Sequence, residues 1–161
     1  MNPIFKCKGD YTMILSDFKA FPARGVLVGV DWGARRTGVA VSDAAREFVF
    51  ARPVIVGRNS GDFITHILNL VAEVRAVGMV IGLPVRTDGA ESETTIAVRE
   101  FANALARETD LPIIFVDETL SSAAAQDSMG RVRRSDIKTK LDSESARVIL
   151  ENAIAIIGRN Y

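Results

Sequence analysis

The distribution of apolar residues divides most of the chain into five short strands and four helices. Apolar or alternating runs predict strands at 26–31, 38–43, 48–56, 77–83 and 112–116. Apolar residues at helical spacing predict helices at 62–76, 92–108, 121–128 and 142–157. The first two strands are separated by a short connection that contains Gly33, which is typical of a β-hairpin.

The order of these elements predicts an α/β fold built on a mixed sheet. Three consecutive antiparallel strands, followed by alternating helices and strands, form a sheet that carries helices on its faces. Pro53 lies inside the third strand and places it at an edge of the sheet, because proline has no N–H to donate to a neighbouring strand. A chain of 161 residues suits one domain, which we place at residues 25–161.

Residues 1–24 are predicted to be an N-terminal extension of this domain. They lack the continuous apolar segment of a secretory signal. The apolar residues of segment 13–21 have helical spacing, which predicts a short amphipathic helix packed on the domain. Met1 and Met13 are alternative natural starts, and the sequence does not decide between them.

The composition is that of an ordinary globular protein, and its few histidines and cysteines exclude several kinds of site. Lys and Arg number 20 and Asp and Glu number 20, so strong bulk attraction to nucleic acid is not expected, although a local basic patch is compatible with this balance. Cys7 and His66 are the only residues of their types, which excludes a disulfide framework and a zinc site rich in cysteine or histidine. His66 lies within a predicted helix, where we interpret it as structural. No apolar run approaches the roughly 20 residues that span a bilayer, so we expect a cytoplasmic protein without a membrane partner.

Three carboxylates are candidates for a site at one edge of the sheet. Asp31 ends the first strand, Glu118 ends the last strand, and Asp142 opens the last helix. Asp142 falls on the helical stripe that faces the sheet, together with Ala146, Ile149 and Ala153. Ligands of such sheets bind where strands end, so we expect the three acids to converge. Their mutual repulsion is relieved by a divalent cation, and Mg²⁺ or Mn²⁺ prefers oxygen ligands of this kind.

Two of the three acids also have an interpretation without catalysis, whereas an acid like Asp31, at a strand end inside a glycine hairpin, has few structural uses. Asp142 is a good helix N-cap, and Glu118 can be a solvated acid in the first turn of a helix. Asp117 precedes Glu118 and would face the opposite side of an extended strand. Position alone therefore does not decide which member of this pair faces the site.

A basic segment near the predicted acidic site provides candidate contacts to nucleic acid. It covers 130–140, is predicted to be a loop, and contains Arg131, Arg133, Arg134, Lys138 and Lys140. Alone, such a run is usually a solvated surface, but a carboxylate cluster that acts on nucleic acid needs cations nearby to hold phosphates. Arg35 and Arg36 in the hairpin add to this set. Trp32 is the candidate for base stacking, and we expect recognition of backbone and shape more than of sequence.

The order and spacing of these motifs resemble the YqgF (RuvX) family over about residues 25–157. The resemblance is carried by Asp31-Trp32-Gly33 with Gly38-Val39-Ala40, Gly82-Leu83-Pro84 with Asp88-Gly89, Asp117-Glu118, and Asp142-Ser143 with Ala146. The family is similar to the RuvC resolvases and has an RNase H-like fold. The resemblance therefore implies a five-stranded mixed sheet of order 3-2-1-4-5 flanked by helices, with family acidic positions at Asp31, Glu118 and Asp142. It selects Glu118 over Asp117.

The resemblance also implies a divalent-metal-dependent endonuclease that matures the 5′ end of precursor 16S ribosomal RNA, with the ribosomal subunit as a further partner. Two metal ions about 3.5–4 Å apart can activate water and stabilise the leaving oxygen of a phosphodiester. The alternative substrate is a Holliday junction in branched DNA, which needs two cuts and so favours a homodimer over a monomer. A non-catalytic RNA-binding assembly factor and an actin-like phosphotransferase are the other classes, although the second domain of the latter does not fit in this length.

The sequence departs from the family at one position beside the predicted site. Thr119 follows the Asp-Glu pair where the family commonly has an arginine. A phosphate contact at that position is therefore either lost or supplied by Arg35, Arg36 or the basic segment. This departure affects how the substrate lies in the site more than it affects the metal ligands.

Overall fold

The fold is built on one mixed sheet with helices on both faces. The computed structural model describes residues 14–15, 18–84, 91–117 and 134–160, and in the last of these ranges it describes the side chains of 144–158. The strands are β1 (Ile14–Leu15), β2 (Leu27–Asp31), β3 (Arg36–Ser42), β4 (Val49–Val56), β5 (Gly78–Leu83) and β6 (Ile113–Asp117). The helices are α1 (Ser60–Val74), α2 (Glu93–Glu108) and α3 (Arg134–Asn160), and a 3₁₀ turn covers Phe18–Ala20.

The strand order confirms the predicted topology and adds one strand to it. The sheet order is β1-β6-β5-β2-β3-β4, so the five predicted strands have the expected 3-2-1-4-5 order. Strands β2, β3 and β4 pair antiparallel, whereas β5 pairs parallel with both β2 and β6. β4 is an edge strand, as Pro53 indicates. The predicted count of five is wrong by one, because β1 pairs in parallel with β6.

The segment before β2 contributes a strand and a core residue to the fold. The predicted amphipathic helix is wrong at Ile14 and Leu15, which instead form β1 and pair with β6. An edge strand offers unpaired N–H and C=O groups, and β1 satisfies some of them. The prediction that this segment packs on the domain is confirmed, since Phe21 is only 2% exposed. Its ring lies so close to Gly78 that a Cβ there would be 2.7 Å from Cζ of Phe21.

Two hydrophobic clusters cover the two faces of the sheet. One lies under α1 and α2 and includes Val28, Val30, Ile81, Phe63 and Phe101. The other lies under α3 and includes Leu27, Val80, Val116, Ala146 and Ile149. Side chains alternate between faces along a strand, so these clusters assign each strand position to the face of α1 and α2 or to the face of α3.

α3 begins eight residues earlier than predicted, which corrects two expectations. Arg134, Lys138 and Lys140, predicted in a loop, lie in the first turns of this helix. Asp142 lies inside α3 and not at its start, so its interpretation as an N-cap is wrong. The reason is that residues 134–141 are mostly polar and carry little of the apolar periodicity by which helices are predicted, although they include no proline or glycine.

Several predicted features lie outside the described residues. These are the helix 121–128 and the residues Asp88, Glu118, Thr119, Arg131 and Arg133. Within the described ranges, no helix is both long enough and apolar enough to cross a membrane.

Candidate active site

Asp31 lies where the parallel strands of the sheet end. It is the last residue of β2, and it is half-buried. Val30 lies opposite Ile81 of β5, and Ile81 lies opposite Phe115 of β6. The carboxyl ends of the three strands therefore lie together and form one edge of the sheet, which is distinct from its outer strands β1 and β4. This confirms the predicted position of Asp31 at the end of the first strand.

Glycines flank Asp31 on both neighbouring strands. On β3 its partner is Gly38. On β5 the residue at the same level is Gly82, since the preceding pair is Val30 with Ile81. Gly38 and Gly82 lie on the same face of the sheet as Asp31, because their parity matches that of Ala40 and Val80 in the cluster under α3. The residues beside Asp31 on the two adjacent strands therefore contribute no side chain on this face.

The close crossing of α3 over β2 places Asp31 on the α3 face. A Cβ on Gly29 would lie 2.9 Å from the carbonyl oxygen of Ala146 and 2.8 Å from Cβ of Leu150. Asp31 is two residues after Gly29 and so faces the same side of the sheet. Glycine at this position lets the helix backbone approach the strand.

The same crossing limits the distance between Asp31 and position 142 of α3. Asp142 is one helical turn before Ala146, roughly 6 Å along the helix axis. Asp31 is roughly 6.6 Å along β2 from Gly29. The backbone of α3 therefore carries position 142 within one turn of the point where the helix crosses β2. The buried residues Ala146, Ile149 and Ala153 confirm three positions of the predicted sheet-facing stripe.

Asp117 lies at the same edge as Asp31 but on the other face of the sheet. It is exposed, ends β6 and lies opposite Leu83. Phe115, two residues earlier, packs against the cluster under α1 and α2, whereas Val116 belongs to the cluster under α3. Alternation therefore places Asp117 on the α1 and α2 face. This face assignment separates Asp117 from Asp31, a question that sequence position alone left open.

No group of three metal-ligating side chains occurs among the residues that the structure describes. Of the three predicted ligands, only Asp31 has a described side chain, because Glu118 and the side chain of Asp142 lie outside the described set. The three-carboxylate site therefore stays a prediction. His66 is exposed on α1, which agrees with its interpretation as a surface or structural histidine.

Trp32, one candidate for base stacking, is half-buried in the structure. It packs against the cluster under α1 and α2, and its ring lies 6.1 Å from that of the buried Phe101. The next residue, Gly33, has no room for a side chain, since a Cβ would lie 2.4 Å from the carbonyl oxygen of Arg36. Alternation continues one residue beyond the end of β2 and places Trp32 on the face of α1 and α2, opposite to that of Asp31. Its role in base stacking stays a prediction.

The arginines near this edge and on α3 differ in how their charge is compensated. Arg35, at the end of the turn that follows Asp31, and Arg36, the first residue of β3, are both exposed. Arg147 of α3 instead forms ion pairs with Glu144 and Glu151. Burial lowers the pKa of the Arg147 guanidinium, but its hydrogen bonds and attraction to the two carboxylates outweigh this, so the pKa lies above the ordinary value. Arg147 is thus committed to its neighbours, whereas Arg35 and Arg36 can contact a ligand.

The Gly29 crossing gives a testable expectation for stability. Gly29→Ala should lower the free energy of unfolding by about 1–3 kcal/mol, since its methyl group would collide with a helix backbone oxygen that cannot easily move. Urea denaturation measures this. The matched control is Gly158→Ala, because Gly158 lies in α3 with nothing within 4 Å of a Cβ. The control should leave stability unchanged or raise it by up to about 1 kcal/mol. An unchanged midpoint for Gly29→Ala would contradict the close crossing.

Comparison of the sequence with known proteins finds a family and close relatives. The sequence profile of the RuvX family, described as Holliday junction resolvase, matches residues 25–155. A protein of Maridesulfovibrio salexigens named as a pre-16S rRNA nuclease is 38% identical over 131 residues, which cover 80% of this chain and 97% of that protein. A protein of the same name from Rhodopseudomonas palustris strain BisA53 is 35% identical over 148 residues, covering 87% of this chain and 89% of the relative.

Solved structures share the fold at low sequence identity. RuvC of Thermus thermophilus in complex with a Holliday junction has a TM-score of 0.56 and 14% identity, covering 83% of this chain and 96% of RuvC. The yeast mitochondrial Holliday junction resolvase Ydc2 has a TM-score of 0.52 and 9% identity, covering 89% of this chain and 83% of Ydc2. These likenesses confirm the predicted RNase H-like fold. The family profile matches residues 25–155, which are more than half of this chain, and the two relatives are more than 30% identical to it. The chain therefore belongs to the RuvX (YqgF) family.

Proposed function

We propose that this chain is a metal-dependent endonuclease that hydrolyses phosphodiester bonds at the 5′ end of precursor 16S ribosomal RNA. The observation that carries the proposal is the position of Asp31, which lies between two glycines at the carboxyl ends of the parallel strands in a RuvX-family chain. Relatives at 35% and 38% identity named as pre-16S rRNA nucleases support an RNA substrate. The enzyme is then a hydrolase acting on ester bonds.

The residues at this edge fit a divalent cation held by oxygen atoms. We assign Asp31, Glu118 and Asp142 as its ligands. Val116 faces α3, and an extended continuation of β6 would turn residue 118 to the same face as Asp31. Position 142 lies within one turn of the crossing of α3 over β2. Both Mg²⁺ and Mn²⁺ accept carboxylate ligands of this kind.

The chemistry divides between the cation and the protein. Divalent ions, when bound, supply activation of water and stabilisation of the leaving oxygen. The protein holds three carboxylates close together, which their mutual repulsion opposes in the absence of a cation. Gly38 and Gly82 place no side chain of their own beside Asp31, and glycines of this kind allow a phosphate to approach a backbone closely.

Cations around the acidic edge hold the substrate phosphates in this proposal. Arg35, at the end of the turn directly after Asp31, and Arg36, the first residue of β3, are both exposed. The remaining members are Arg131, Arg133, Arg134 and Lys138. In α3, positions 134, 138 and 142 are spaced by one turn each, so the basic residues precede the proposed ligand along one line of the helix. Contacts to phosphates position a strand without reading its sequence.

The test is incubation with three labelled nucleic acids in Mg²⁺, Mn²⁺ or EDTA. They are a single-stranded RNA that carries the small-subunit precursor leader, a DNA four-way junction and an unrelated single-stranded RNA. Metal-dependent cutting confined to the leader supports the proposal. Paired cuts in the junction would reassign the substrate to branched DNA. Binding of the leader in EDTA without cutting in any metal would instead favour a non-catalytic RNA-binding assembly factor.

The proposed substrate also implies a compartment, a partner and an oligomeric state for the protein. Precursor ribosomal RNA is processed on the assembling ribosomal subunit, so we place the protein in the cytoplasm with that subunit as a partner. One end of one RNA requires one cut, for which a monomer suffices. A junction resolvase would need two symmetric cuts and therefore a homodimer.

A further inference from the structure

Three exposed arginines lie at the edge of the sheet that contains Asp31. Arg35 ends the turn between β2 and β3, Arg36 is the first residue of β3, and Arg58 lies between β4 and α1. The backbone N–H of Gly57 donates to the carbonyl oxygen of Arg35 at 3.3 Å, which joins the two loops. Strand spacing then places the Cα atoms of Arg35 and Arg58 within roughly 9 Å of each other.

The loop that carries Arg58 is held by its own hydrogen bonds. The backbone N–H of Arg58 donates to Oδ2 of Asp62 at 2.9 Å. Asn59 caps α1 by accepting from the N–H of Asp62 at 3.1 Å. Gly57 packs so closely that a Cβ would lie 3.0 Å from Cβ of Asp62. These contacts fix the backbone of Arg58 relative to the turn after Asp31. The side chain of Arg58 therefore starts from a fixed Cα position.

The charges of these three arginines are uncompensated within the described part of the chain. None of them forms an ion pair there. Other arginines do, since Arg52 pairs with Glu73, Arg99 pairs with Glu91, and Arg147 pairs with both Glu144 and Glu151. Asp62, the nearby acid in the first turn of α1, accepts a backbone hydrogen bond from Arg58. Three like charges on joined loops repel one another, and an anion that bridges them removes this repulsion.

We propose that Arg58 joins Arg35 and Arg36 in a phosphate-binding surface on the β4 side of the site, which holds the backbone of the RNA strand being cut. This inference rests on the proposed function and adds Arg58 to the residues that contact the substrate. Arginine suits the role because its planar guanidinium donates two parallel hydrogen bonds to one phosphate. Arg58 adds a cation on the β4 side of Asp31, in a chain that has Thr119 where the family commonly has an arginine.

The test compares Arg58→Gln with a control that has the same change of charge elsewhere. Arg24→Gln is the control, because Arg24 is exposed just before β2, at the other end of the sheet. Affinity for the labelled precursor leader RNA is measured by fluorescence anisotropy in EDTA between 50 and 200 mM KCl. We expect Arg58→Gln to weaken binding roughly three- to tenfold at low salt and to make the slope of log K against log salt shallower by about 0.7. Arg24→Gln should follow the wild type.

Arg58→Lys separates the charge of this residue from its hydrogen-bonding geometry. It should keep the salt slope of the wild type and recover part of the affinity, because the charge remains while the fork of donors is lost. Equal affinities and slopes for Arg58→Gln and Arg24→Gln would overturn the inference. If the wild type cuts the leader in that case, the proposed function stands without Arg58. Failure of the wild type to bind or cut the leader would overturn both.

Discussion

Asp31→Asn should abolish cleavage of the precursor leader, with a rate at least about 10³-fold below that of the wild type, or about 4 kcal/mol in activation free energy. The substitution keeps the shape of the side chain and removes the charge that holds the proposed cation. The fold should be retained.

Metal binding by Asp31 can be followed separately from activity. Trp32 is the only tryptophan in the chain and adjoins Asp31. Its emission is therefore expected to be quenched by paramagnetic Mn²⁺ bound at the adjacent carboxylate. Titration of the wild type with Mn²⁺ should give a saturable decrease in fluorescence, and Asp31→Asn should show little of it. A full decrease in the variant would place the metal elsewhere.

Asp117→Asn is the matched control for this prediction. Asp117 ends a strand at the same edge of the sheet and undergoes the same chemical change, but it lies on the face of α1 and α2. We expect its cleavage rate to remain within about twofold of the wild type, as for surface substitutions outside a site. Retained cleavage in Asp31→Asn, or an equally large loss in both variants, would contradict the assignment of Asp31 and its face.

Phe21→Ala is expected to lower the free energy of unfolding by about 3–5 kcal/mol, as truncations of fully buried aromatic side chains do. Such a loss is a large fraction of the roughly 5–15 kcal/mol that stabilises a typical domain. Phe21 is 2% exposed and packs with the cluster under α3, although it precedes the predicted start of the domain at residue 25. Urea denaturation followed by circular dichroism measures the difference.

The control for Phe21→Ala is the same substitution at an exposed phenylalanine. Phe48 is 61% exposed on the hairpin between β3 and β4, so Phe48→Ala should change stability by no more than about 0.5 kcal/mol. Similar values for the two variants would show that the segment before β2 is dispensable. The predicted boundary at residue 25 would then stand, whereas a large difference moves the start of the domain to the residues before Phe21.

Structural features that depend on a few residues could not be predicted from the sequence, because the hydrophobic pattern of a short segment does not show them. β1 consists of two residues, too few for alternation to be visible, and it forms only because β6 has a free edge. The early start of α3 was missed for a related reason, since positions such as Lys138 carry no apolar periodicity. The sequence alone does not place Arg58 near Arg35. The hydrogen bond from Gly57 to Arg35 shows that their loops are adjacent.

By itself the sequence determined the five main strands and the location of Asp31 at a strand end, because apolar runs and the glycine hairpin are local signals. The order of the strands was implied by the family resemblance. Only the tertiary structure decided which face of the sheet is occupied by each residue at the edge that contains Asp31. It turned Trp32 inward, separated Asp117 from Asp31 and brought α3 across Gly29. The physical reason is that these outcomes depend on packing between elements far apart in the chain, where helix position and strand alternation together select the face.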